Sequence, residues 1–180
     1  MPRTLSLVTT ETGPRLRQTP VPGVSAVTVN RDKQQAKERS LAAGVTPTGL
    51  AATVARVEVR VALGSASEAG VVLRRSADGA VGTRVGVRRD GTLIVDRTHS
   101  GNVAFNPLFP SVEEAPVTVR DGEVIFTAYL DRSSVEVLAQ GGQVSVTDLI
   151  YPPASATGVA VYAVGGTAKA VDIKVTPIRP

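Results

Sequence analysis

The chain has no cysteine and no tryptophan, one methionine and a single histidine, His99. Without thiols there are no disulfides, no thiolate nucleophile and no Cys-based metal site, although this absence does not decide the compartment. With one histidine, a His-rich metal site is excluded and any His-based triad would have to use His99. That residue sits between Thr98 and Ser100 with no GxSxG elbow upstream, so it reads as an ordinary surface histidine. No D-x-D-x-D-G calcium loop and no GxxxxGK[ST] phosphate loop is present. No run of about eighteen apolar residues is present to cross a membrane, and the opening Met1-Pro2-Arg3 is not that of a signal peptide.

Aromatic residues make up 3% of a chain that is 42% hydrophobic, so the core must be built mainly from Val, Leu, Ile and Ala. The β-branched share favours strands. A length of 180 residues suffices for one domain with a proper core. The net charge of +4 and pI near 9.8 raise nucleic acid as a partner. The basic residues are scattered rather than gathered in a stripe, and aromatic interleaving is almost absent, so neither nucleic acid nor a membrane is expected.

Seventeen glycines and twelve prolines punctuate the chain into short segments. Ala55–Val61 alternates strictly, as a half-buried antiparallel strand should. Asp78-Gly79, Asp90-Gly91 and Asp121-Gly122 mark turns between further alternating runs, and Pro116–Val119 reads as the strand before the last of them. Between Val124 and Leu130 the apolar residues fall on even numbers, and after Ser134 they resume on odd numbers at Val135 and Val137. Successive strand residues face opposite ways, so that parity switch needs a break, which Asp131-Arg132-Ser133-Ser134 supplies as a tight hairpin loop. Gln140-Gly141-Gly142-Gln143 turns the chain again into Val144–Ile150. Some eight to eleven strands without βα alternation predict an all-β, antiparallel two-sheet β-sandwich of the concanavalin A-like jelly-roll type.

At the N-terminus, Leu5, Leu7 and Thr9 alternate, Gly13-Pro14 breaks the run and Leu16 resumes it, which predicts a small hairpin. Residues 30–43, the most polar run, offer the one plausible helix, with Asn30 as cap and Gly44 as stop; without an apolar stripe it would be a solvated linker or surface helix.

Two blocks of the sequence resemble a known family. Asp131-Arg132-Ser133-Ser134-Val135-Glu136-Val137, followed by the glycine turn and Thr147-Asp148-Leu149-Ile150-Tyr151-Pro152, is similar to the C-terminal β-sandwich of glycoside hydrolase family 32, the levanases, inulinases and invertases. The run Asp96-Arg97-Thr98-His99-Ser100-Gly101-Asn102, with Phe105 and Phe109-Pro110 after it, resembles the block that precedes it there, in the same order and spacing. The likeness spans about residues 90–166, and more weakly 50–90. Residues 1–22 resemble the end of that family's five-bladed catalytic propeller and its connector. The resemblance thus implies three parts: a propeller edge and connector over 1–22, a linker over 23–48 and the sandwich over 49–180. It also implies an extracellular location and a propeller partner. Leu5, Leu7 and Leu16 would then have lost part of their packing surface.

Glycoside hydrolysis needs two carboxyl groups roughly 5–9 Å apart. Asp131 and Glu136 are the candidates by position, but an Asp opening a hairpin commonly caps its loop and an outward Glu136 could pair with Arg132. The family's catalytic motifs, resembling NDPNG, RDP and EC, have no counterpart here, so the resemblance implies a chain without catalytic residues, cofactor or metal. A related group, carbohydrate-binding module family 66, recognises terminal fructose through the same fold. By that resemblance Asp96, Arg97, Ser100 and Asn102, with Asp131, Arg132 and Glu136, are the candidate sugar-binding residues; alternatively both clusters tie loops to strands. Leu138 stands where the family usually has Phe, which leaves an aromatic wall there in doubt. Three readings stay open: a domain that stabilises a fructan-hydrolase propeller, a free-standing fructan- or fructose-binding module, and a lectin-like module for another glycan. An exposed apolar patch at the N-terminal edge would mark either a lost interface or a homodimer contact.

Overall fold

A computed structural model describes residues 1–10, 13–28 and 30–179. The strands β1 (Arg3–Thr10) and β2 (Gly13–Pro20) form an antiparallel hairpin with Leu7 opposite Leu16. One helical turn, α1 (Pro22–Ala26), and a 3-10 turn at Asn30–Asp32 lead into the rest. There follow β3 (Gln34–Ala36), β4 (Arg39–Leu41), β5 (Gly44–Ala51), β6 (Ala55–Ala62) and β7 (Glu68–Arg75). Then come β8 (Thr83–Arg88), β9 (Thr92–Asp96), β10 (Val112–Pro116), β11 (Glu123–Asp131) and β12 (Ser134–Ala139). The chain closes with β13 (Val144–Leu149), β14 (Gly158–Val164) and β15 (Ala168–Pro177).

These strands make two antiparallel sheets. One runs β10-β9-β8-β7-β14-β5; the other runs β13-β12-β11-β6-β15-β3, with β4 also on β15. Alternation decides which side chains meet between them. From the larger sheet Val57, Val59 and Val61 of β6, Phe126, Ala128 and Leu130 of β11, and Val135 and Val137 of β12 point inward. Val71 and Leu73, Val85 and Val87, Leu93 and Val95, and Val159 and Val161 face them from the smaller sheet. Phe126 is the one aromatic in this main core cluster, as the composition predicted. The antiparallel sandwich is therefore as expected, and so is the hairpin at Asp131–Ser134, where those two residues are the last pair.

Three local expectations need correction. Residues 30–43 do not form a helix: after the short 3-10 turn they lie as β3 and β4 along β15. With no helical stripe to bury, the segment gains more by satisfying the backbone groups of an otherwise open edge, placing Leu41 in the core. The sandwich accordingly begins before residue 49, because β5 pairs with β14. Pairing also precedes Pro116–Val119: β10 covers Val112–Pro116, and Val117 then donates its N–H to the Gly91 carbonyl. The acidic Val112-Glu113-Glu114 resembled a loop because an edge strand carries charge outward.

Candidate functional site

The first sequence block divides at Arg97. Asp96 ends β9 on the outer face of the smaller sheet, directly across from Arg84 of β8. Its Oδ1 accepts hydrogen bonds from the Thr98 N–H at 2.9 Å and the Thr98 hydroxyl at 2.6 Å. Arg97 instead reaches across the end of the sandwich. Its Nε donates to Ser111 Oγ at 2.7 Å, one Nη lies 3.6 Å from Asp148 Oδ1, and the guanidinium sits 4.4 Å from the centroid of the Phe109 ring. Burial pushes the Asp148 carboxyl above its ordinary pKa, against the pull of Arg97, and its Oδ2 has no hydrogen-bond partner. Ser100 is completely buried and its hydroxyl is unpartnered, while its N–H donates to the Arg97 carbonyl. Asn102 is exposed and its N–H donates to the Tyr151 carbonyl. Arg97 and Asn102 thus splice the 97–111 loop to β13 and the segment after it, while Ser100 closes a turn within the loop.

The second block divides as well. Asp131 accepts a hydrogen bond from the Arg132 N–H at 2.8 Å, the loop-capping role expected of it. The Arg132 side chain is exposed, and its carbonyl accepts from buried Arg74, which also donates to the carbonyls of Ala156 and Pro153. Glu136 does not pair with Arg132. Its carboxylate holds the N-terminal hairpin, accepting from the Met1 ammonium at 2.7 Å and from Arg3 at 2.6 Å. Burial would raise the Glu136 pKa, but these two cations outweigh it and hold the group below its ordinary value. The seven candidates therefore do not converge on one pocket, and Asp131 and Glu136 serve separate structural contacts.

Two features were not found from the sequence. Phe105, Phe109 and Tyr151 cluster with ring centroids 4.8–5.5 Å apart, holding the long loop beside Arg97. The other is a groove of about 310 Å³ on the outer face of the smaller sheet, lined by Val45, Val72, Arg75, Gly82, Arg84, Asp96 and His99 among others. A second basin of about 240 Å³ adjoins it, sharing Val45 and Arg84 and adding Tyr162. Only Asp96 of the sequence candidates reaches this groove. Register alone could have paired it with Arg84 in advance, because the Asp90-Gly91 turn fixes which residues of β8 and β9 face each other. Among the described residues no group of three or more His, Asp or Glu is placed to hold a metal.

The sequence profile of the family described as "Glycosyl hydrolases family 32 C terminal" matches residues 17–177. A levanase of Bacillus subtilis strain 168 is 34% identical over 183 residues, covering 99% of this chain and 27% of that protein. An extracellular exo-inulinase of Aspergillus awamori is 32% identical, covering 95% of this chain and 32% of its own length. The crystal structure of exo-inulinase from Aspergillus awamori superposes with a TM-score of 0.87 at 31% identity, over 98% of this chain and 35% of that one. Fructan 1-exohydrolase IIa from Cichorium intybus, at 17% identity and a TM-score of 0.76, shares the fold. The chain spans about a third or less of the length of these curated relatives. Its two blocks, its sandwich and its matched profile together make it a member of the glycosyl hydrolase family 32 C-terminal domains.

Proposed function

We propose that this chain is a non-catalytic domain that docks on, and stabilises, the catalytic propeller of a secreted fructan-cleaving glycosidase. The observation that carries this reading is the N-terminal hairpin. Among the described residues β1 and β2 pair only with each other, so β1 has no strand along its outer edge, while β2 rests at Gln18 on Gly142. Leu5, Leu7 and Leu16 are 61%, 75% and 50% exposed, and Leu7 and Leu16 are cross-strand partners on one face. An open edge beside an apolar face is a template for continuing a sheet.

The hairpin is also aimed rather than loose. Arg3 holds Glu136, Gln18 donates to Ser145 Oγ at 2.9 Å, and the Gln18 carbonyl packs against Gly142 where a Cβ would lie 1.9 Å away. A rigid mount of this kind fixes the orientation of whatever adds to the hairpin. The family profile begins at residue 17, inside β2, which supports assigning β1 to the neighbouring domain's edge. Secretion of the parent is inferred from relatives such as the extracellular exo-inulinase.

The test is a chimaera in which this chain replaces the matching stretch of the Bacillus subtilis levanase. The Leu7→Asp/Leu16→Asp variant should lower the chimaera's Tm and levanase activity while leaving the Tm of the isolated chain within a degree or two. Equal behaviour of both chimaeras would overturn the reading. A dimer of the isolated chain that the same substitutions dissociate would make the leucine face a homodimer contact instead.

A further inference from the structure

The outer face of a sandwich sheet is normally polar, yet on the smaller sheet Val72, Ala160 and Tyr162 form a second buried cluster, separate from the core. Tyr162 of β14 reaches past β7 to β8, where residue 86 is glycine: a Cβ there would stand 2.2 Å from the tyrosine hydroxyl. That hydroxyl donates to Glu68 at 2.9 Å, and Arg84 covers the ring with its guanidinium 5.4 Å from the centroid. The groove above Val72 mixes apolar lining from Val45, Val72 and Val81 with the polar Arg75, Arg84, Asp96 and His99, a concavity of the size of a small-ligand site.

The rim chemistry narrows the ligand. Arg84 is exposed and forms no ion pair within 4 Å among the described residues, although Asp96 faces it across the β8–β9 ladder. A planar fork of N–H donors thus stands beside a carboxylate that accepts. Arg75 closes its own loop by donating from one Nη to the Ser76 and Ala77 carbonyls and forms a wall of the groove with Gly82. The ring of His99 bonds Thr98 through Nδ1, and the residue borders the groove, its carbonyl accepting from the Gly82 N–H. An anion would meet Asp96 unfavourably and a cation would meet Arg84 unfavourably. A neutral ligand with adjacent hydroxyls satisfies both, accepting from Arg84 and donating to Asp96.

We infer that this groove is a binding site for a neutral sugar chain, one residue lying over Val72 between Arg84 and Asp96 and the next continuing past Tyr162. The first basin, about 310 Å³, has room for a single sugar unit, and the shared Val45 and Arg84 join it to the second. The site lies on the sheet opposite the one that carries the hairpin, so it stands independently of the docking reading.

Because His99 is the chain's sole histidine, its imidazole C–H resonances report on the groove without assignment of other signals. The 180-residue chain is titrated with levan and inulin oligosaccharides, with maltooligosaccharides, and with inorganic phosphate. Saturable shifts of the His99 signals with at least one neutral oligosaccharide are expected, and none with phosphate. Arg84→Ala should weaken that binding by roughly ten- to a hundredfold, the worth of a charge-assisted hydrogen bond. Asp96→Asn, which keeps an acceptor for Thr98, should weaken it while leaving the Tm unchanged. Silence with every oligosaccharide would overturn the proposal. So would shifts with phosphate alone, which would make this an anion site, or undiminished binding in Arg84→Ala.

Discussion

Replacing Arg97 separates a brace from a ligand-binding residue. The side chain is 17% exposed and Asp148 beside it 7%, so Arg97→Ala leaves a nearly buried carboxylate without its cation. Breaking a fully buried ion pair costs about 3–5 kcal/mol. Here the 3.6 Å separation and the residual exposure reduce that to roughly 2 kcal/mol, and loss of the cation–π contact with Phe109 adds about 0.5–1 kcal/mol. The total, about 3 kcal/mol at pH 7, is measurable by urea unfolding followed by far-UV circular dichroism. In the double variant Arg97→Ala/Asp148→Asn, about 1 kcal/mol should return, because the orphaned charge is gone.

The pH dependence has a fixed sign. Burial already raises the Asp148 pKa and Arg97 opposes that rise, so the variant's Asp148 titrates higher still. A carboxyl with a raised folded pKa gives stability that is fully present below its unfolded pKa, about 3.9, and is lost as pH rises through the folded value. The deficit of Arg97→Ala must therefore shrink on acidification from pH 7 toward 5. Glu113, 4.0 Å from Arg97 and half-exposed, adds to the rise in the same direction. A variant within about 0.5 kcal/mol of wild type, or a deficit that grows on acidification, would refute the reasoning.

Two further outcomes are expected. Gly86→Ala forces its Cβ against the Tyr162 hydroxyl and, at 2.8 Å, the Ala69 carbonyl, so it should cost about 1–3 kcal/mol in the same unfolding assay. Glu136 has a depressed folded pKa, so its hold on the hairpin is present above the unfolded value of about 4.3 and is lost as pH falls through the folded one. Amide exchange in β1 and β2 should therefore accelerate only below that range, and Glu136→Gln should exchange faster at pH 7 and lose the pH dependence.

What the sequence conveyed and what it hid follow one physical division. Alternation within a strand is local, so β6, β11 and β12 and their inward faces were legible from Val57, Val59, Phe126 and Val135. The turns at Asp90-Gly91 and Asp131–Ser134 were legible for the same reason. Short strands such as β3 and β4 exist because a distant partner, β15, offers an edge, and no local pattern announces that. The site divided the same way. Asp96 carried a recognisable motif, but Arg84, Tyr162 and Gly86 come together through register across β8, β7 and β14. For Arg97 the motif shows which residues recur together, not that its guanidinium reaches Ser111 and Asp148.

The central claim is that the hairpin is one half of an interdomain sheet. Hydrogen exchange of the β1 and β2 amides, compared between the isolated chain and its levanase chimaera, tests it most directly. The outward-facing amides of one hairpin edge should exchange rapidly in the isolated chain and become protected by at least a hundredfold in the chimaera, roughly 2.7 kcal/mol of added local stability. Equal protection in both would contradict the docking account.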